Sequence, residues 1–139
     1  MRIGAAEINE GELKMYDASA IHQQHAELVN MFIKLNEAVK NNKSRQEIYQ
    51  IIEEVISFTC AHFTNEEQLM VKSGYPEIAA HKSMHKELIA EALSLKKKFD
   101  YVDDDMFMEW LNHWPFGRVM AHIQYADKQF EDHIQQINS

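Results

Sequence analysis

Residues 62–85 read HFTNEEQLMVKSGYPEIAAHKSMH, and the fold follows from how this stretch divides. Gly74 suits the end of one helix and Pro76 the first turn of the next. Before the turn, His62 and Glu66 are four residues apart; after it, His81 and His85 are too. An α-helix turns about 100° per residue, so each pair lies within about 40° on one face. Each pair can therefore deliver two ligands to one point. Imidazole with carboxylate suits iron, zinc or manganese better than magnesium or calcium.

Working outward, the same pattern recurs on either side. Asp17 and Ser19 are candidate caps for a first helix whose inward stripe reads Ile21, His25, Leu28, Phe32, Leu35, Val39. A polar break at 40–43 leads to Ser44 with Glu47 three residues on, a capping-box signature. The second helix carries Ile48, Ile52, Val55, Thr59, His62, Glu66 and Leu69 on one side, and the third Ile78, His81, His85, Leu88, Ala92, Leu95 and Phe99. Asp103 is the expected cap of a fourth helix bearing Phe107, Leu111, Val119, His122, Ile123, Phe130, Ile134 and Ile137.

The expected architecture is all-α: an antiparallel up-down-up-down four-helix bundle over about 17–137, with residues 1–16 as an N-terminal arm. Pro115 removes a helical hydrogen bond and Gly117 weakens the same turn, so a break in the fourth helix is expected at 114–117. The ligand-bearing part then starts near Arg118.

Seven residues form the candidate metal set: His25, His62, Glu66, His81, His85, His122 and Asp127. A single histidine on an apolar stripe reads as a hydrogen-bonded core residue. Four helices each burying such groups is another matter, because uncompensated burial of a carboxylate is costly and metal coordination removes the cost for the whole set. Asp127 is the weakest of the seven on periodicity, since five α-helical residues from His122 is about 140° of rotation. His22, His113 and His133 read as surface or flanking residues, Glu67 as facing solvent or a neighbouring helix, and Cys60 as a small buried hydrophobe.

Composition narrows the class. The chain has 139 residues, 45% hydrophobic and 26% charged, consistent with one soluble domain over 1–139. A formal net charge of -8 argues against nucleic acid or an acidic membrane as partner. Cys60 is the lone cysteine, and no segment has the apolar core of a signal peptide or transmembrane length. The expected location is cytoplasmic.

The motifs Gln24-His25, His62-Phe63-Thr64-Asn65-Glu66-Glu67, Gly74-Tyr75-Pro76, His81/His85 and His122-Ile123 with Asp127-Lys128 together resemble the hemerythrin family, in particular the bacterial hemerythrin-like proteins. The resemblance covers residues 17 to about 135, and it implies a four-helix bundle with two non-haem iron ions joined by a bridging oxo or hydroxo group. The implied activity is reversible dioxygen binding, as carrier, store or sensor. One iron would take His81, His85 and His122, the other His25 and His62, with Glu66 and Asp127 between them. The resemblance also brings in Asp127, five residues after its histidine. Leu28, Phe32, Phe63, Leu69, Val119 and Ile123 are expected to wall the oxygen pocket.

Two positions depart from the family pattern. His22 stands where the family commonly has Asp, and Arg118 where it has Trp. Should they reach the pocket, they favour the alternative: a di-iron redox enzyme (oxidase, peroxidase or nitric-oxide handling) at the same centre.

Overall fold

The computed structural model describes residues 18–138; the expected arm and the Asp17 cap lie outside them. Helix α1 spans Ala18–Lys40, α2 Arg45–Ser73 and α3 Ile78–Lys98. A short 3₁₀ turn, Phe99–Tyr101, precedes α4 at Asp104–His113. The last helical run continues through a π turn (Trp114–Val119), one α turn (Met120–His122), a second π turn (Ile123–Asp127) and α5 (Lys128–Asn138). Helix α1 packs on α2, α2 on α3, α3 on the first π turn, and α1 again on α4 and α5. This closes the expected antiparallel bundle. Among the described residues, no helix is long and apolar enough to cross a membrane.

Local chemistry sets the helix ends. Ser44 caps α2, its hydroxyl accepting from Glu47 N at 3.1 Å. Asp103 caps α4 in the same way, accepting from Met106 N at 2.9 Å. Gly74 ends α2 in the left-handed region at φ 68°. Its N–H reaches the Val71 carbonyl, and Tyr75 N reaches that of Met70 at 3.0 Å. These two bonds make a Schellman motif. Asn42 at φ 54° ends α1 likewise, with Lys43 N bonded to Ala38 O at 3.0 Å. Arg45 ties the start of α2 to the far end of α3, donating to the carbonyls of Phe99 at 2.7 Å and Val102 at 2.9 Å.

The expected interruption near Pro115 falls where α4 ends, and it takes the form of a π turn rather than an open break. A π turn bonds residue i to i+5, and such turns concentrate at functional sites. The chain thus stays helical past the proline, which lacks an N–H to donate. Trp114, at the junction, is buried and donates its Nε1 proton to Leu88 O at 2.9 Å, pinning the turn to α3.

Buried apolar residues form three clusters along the bundle. One end holds Leu35, Ile48, Ile52, Phe99 and Phe107. The middle holds Leu28, Phe32, Phe63, Leu88, Trp114 and Val119. The other end holds Ile21, Leu69, Met70, Tyr75, Phe130 and Ile134. On each helical run the candidate ligands fall between the middle and this last cluster, so a polar layer crosses the bundle between two apolar ones.

Candidate metal centre

His25 comes from α1, His62 and Glu66 from α2, and His81 and His85 from α3. His122 comes from the α turn between the two π turns, and Asp127 closes the second of them. All seven are buried, the most exposed at only 7%. The His122–Asp127 spacing, awkward for an α-helix, is explained by the backbone between them. Residues 123–127 are π-helical, and there residues five apart stack as residues four apart do in an α-helix. Asp127 is thereby turned onto the face of His122.

The side chains converge in two overlapping groups: Glu66, His81, His85, His122 and Asp127; and His25, His62, Glu66 and Asp127. Within each group the candidate donor atoms lie within 4.8 Å of one another. Asp127 Oδ1 is 2.9 Å from His81 Nε2 and 3.0 Å from His122 Nε2, while Oδ2 is 3.1 Å from His25 Nε2. Glu66 Oε1 lies 3.3 Å from His85 Nε2 and 3.5 Å from His62 Nε2, and Oε2 3.8 Å from His25 Nε2. Both carboxylates thus face both groups.

The five Nε2 atoms and all four carboxylate oxygens are buried and form no hydrogen bond among the described residues. Buried polar groups are ordinarily satisfied, and leaving one unmade costs about 1–3 kcal/mol. Nine such atoms aimed at a shared space fit a metal site, because a cation satisfies imidazole lone pairs and carboxylates together.

Outer contacts orient the rings. His85 Nδ1 donates to Glu67 Oε2 at 2.8 Å, and His62 Nδ1 donates to Gln24 Oε1. A carboxylate can only accept, so the proton of His85 sits on Nδ1 and its Nε2 lone pair points inward. Sequence reading set Glu67 against solvent or a neighbouring helix; it serves the neighbouring helix, and it and Gln24 are the functional residues that were missed. Their adjacency to Glu66 and His25 was the available signal. Phe63 stacks on His85 with centroids 3.7 Å apart, and Tyr75, placed by the Gly74 turn, meets the edge of His81.

The electrostatics divide the rings: His62 and His85 are lowered, which suits a metal ligand, while His25 is raised. Burial, with repulsion from His25, pushes His62 down to about 4. Burial and the neighbouring His122 and His81 also lower His85. Burial would lower His25 as well, but Asp127 and Glu66 outweigh it and raise that ring to about 9. Burial and the adjacent Asp127 raise Glu66. Burial works upward on Asp127 too, yet His122, His25 and His81 hold it well below the usual carboxylate range.

Of the expected pocket residues, Leu28, Phe32, Phe63 and Val119 are buried in the middle cluster and Ile123 packs against it. Leu69 is placed differently, in the end cluster with Phe130 and Ile134. Arg118 faces α3, bonding Glu91 at 2.8 and 3.0 Å, and lines an open cavity together with His122. The exposed His22 contacts Glu131, His113 is exposed, and half-buried His133 bonds Ser73 O at 2.9 Å.

Fold and site together define a metal-binding helical bundle of imidazole and carboxylate donors. Residues 17–139 match the Hemerythrin HHE cation binding domain, and the chain belongs to the hemerythrin family. It is 34% identical to a bacteriohemerythrin of Stenotrophomonas maltophilia, over 84% of this chain and 76% of that one. It is 36% identical to a bacteriohemerythrin of Methylococcus capsulatus, over 77% and 80%. Myohemerythrin-1 of Phascolopsis gouldii is 35% identical over 58% and 60%. No solved structure matches the chain.

Proposed function

We propose that this chain holds two non-haem irons with an oxo or hydroxo bridge and binds dioxygen reversibly, as carrier, store or sensor. His81, His85 and His122 would hold one iron and His25 and His62 the other, with Glu66 and Asp127 shared. Bound there, the pair of irons supplies reversible electron exchange with dioxygen.

The observation that carries this reading is the asymmetry of the two donor groups. One offers three imidazoles besides the shared carboxylates, the other only two. A metal on the poorer side has fewer protein ligands, and an open position is what an exogenous ligand needs. The remaining residues serve that end. Gln24 and Glu67 fix ring orientation, while Leu28, Phe32, Phe63 and Val119 keep the adjoining space dry. The pairing of Arg118 with Glu91 and the surface position of His22 favour this reading over the alternative, a di-iron redox enzyme at the same centre.

The test is optical. Iron-loaded, reduced protein should gain a visible absorption band under dioxygen and lose it when the gas is removed, through repeated cycles. One-way conversion to a stable oxidised spectrum would contradict reversible binding.

A further inference from the structure

Outside the seven ligands, two buried side-chain polar atoms make no hydrogen bond among the described residues: Asn36 Oδ1 and Glu131 Oε1. Glu131 Oε1 faces a histidine nitrogen, Nε2 of His22. Glu131, on α5, is only 5% exposed, whereas the side chain of His22, on α1, is 65% exposed. A buried carboxylate without compensation is costly. Lys128, three residues earlier on α5, donates to Asp132 at 2.9 Å rather than to Glu131.

The position of this pair is as telling as its chemistry. His22 precedes His25 by three residues on α1, and Glu131 follows Asp127 by four in the last helical run. Each step is about one helical turn, or about 5 Å along the axis. Both run toward the end of the bundle where the neighbours of the pair, Ile21 and Phe130, share a cluster. The pair therefore stands one turn outward from His25 Nε2 and Asp127 Oδ2, themselves 3.1 Å apart in the metal centre.

The same arrangement, a histidine nitrogen against a buried carboxylate oxygen that makes no hydrogen bond, marks the centre itself. Imidazole with carboxylate suits first-row divalent ions such as zinc or ferrous iron. The exposed side of His22 leaves room for water in the remaining coordination positions. A proton on His22 would compensate Glu131 by charge alone and leave no place for a cation, and zinc titration separates the two cases.

We propose that His22 Nε2 and Glu131 Oε1 form an outer binding site for one first-row divalent metal ion, completed by water and separate from the seven-residue centre. With only two protein donors it holds its ion loosely, so dialysis empties it while the centre stays filled. The site does not depend on which metal or gas the centre takes.

Zinc is the probe. The full chain, its centre already loaded with iron, is titrated with zinc by calorimetry, and iron is quantified at the end. One zinc per chain should bind with the iron retained. That binding should vanish in His22→Ala and in Glu131→Gln, while His113→Ala, which removes another exposed histidine, leaves it unchanged. Glu131→Gln keeps the shape of the side chain and His22 is exposed, so both variants should keep the fold. Anomalous diffraction at the zinc edge from zinc-soaked crystals should place the ion between the two side chains. Zinc binding that survives either substitution, zinc found only elsewhere, or no zinc beyond the centre would overturn the site. Should the centre refuse iron, the total zinc bound by the unaltered chain should still exceed that of either variant by one ion. Such a result would refute the di-iron reading and leave the outer site standing.

Discussion

Glu67 on α2 accepts a hydrogen bond from His85 Nδ1 on α3 at 2.8 Å, and so sets which nitrogen of that ring faces the centre. Such outer partners are worth about 10–100-fold in metal affinity. Glu67→Ala should weaken metal binding by that order, while Glu67→Gln, which retains an acceptor oxygen, should lose less. Competition against a chromophoric chelator measures both. Equal affinity in all three proteins would show that Glu67 does not orient the ring.

Asp127 faces both donor groups, with one oxygen toward His81 and His122 and the other toward His25. Asp127→Ala should lower the metal content from two ions per chain to one or none. Elemental analysis of the reconstituted variant gives the answer, and full retention of two ions would remove Asp127 from the site.

Proton linkage gives a sign as well. Without metal, His25 is raised to about 9 and Glu66 is raised by burial and by Asp127, so both hold protons at neutral pH. Metal must displace those protons, so loading releases them and affinity climbs as pH rises from 7 toward 9. In the metal-free fold the His25 contribution to stability is fully present below about 6.5 and is lost as pH rises through about 9, because there the folded state keeps a proton the unfolded chain has released. Calorimetry in buffers of differing ionisation enthalpy counts the protons. Loading without proton release would contradict the assignment.

Gly74 carries φ +68°, and a Cβ built there meets nothing within 4 Å. The cost of Gly74→Ala is therefore backbone strain alone, about 1 kcal/mol or ~4 °C in melting temperature. Metal content should not change. A larger loss, or loss of metal, would mean that the turn also holds His81 in place.

Arg118 is spent on Glu91 and Glu87 at the surface, with its side chain 41% exposed. Ion pairs of this kind contribute less than about 1 kcal/mol. Arg118→Ala should leave both the optical spectrum and the autoxidation rate of the iron-loaded protein unchanged. A changed autoxidation rate would tie Arg118 to the centre and return weight to the redox-enzyme alternative.

Much of this structure was legible because its rules are periodic. Ile21 to Val39 and Ile78 to Phe99 follow the α-helical repeat, and Ser44, Asp103 and Gly74 carry their capping chemistry in a few neighbouring residues. What escaped depends on a departure from that repeat or on contacts between helices. The π turn over 123–127 moves Asp127 onto the face of His122, and α-periodicity assigns it elsewhere. The turn at Trp114–Val119 absorbs Pro115 without opening the chain. Glu67 meets His85 eighteen residues away, a contact set by how α2 packs on α3. Leu69 follows the ligand stripe by three residues, yet the stripe alone does not say on which side of the polar layer it lies.

The central claim is that seven side chains hold two irons in unequal surroundings. Mössbauer spectroscopy of the ⁵⁷Fe-loaded, air-oxidised protein, with iron quantified in the same sample, tests it most directly. Two irons per chain, magnetically coupled through their shared bridge, should give quadrupole doublets without magnetic splitting at low temperature. One iron per chain, or the magnetically split spectrum of an isolated ferric ion, would contradict the account.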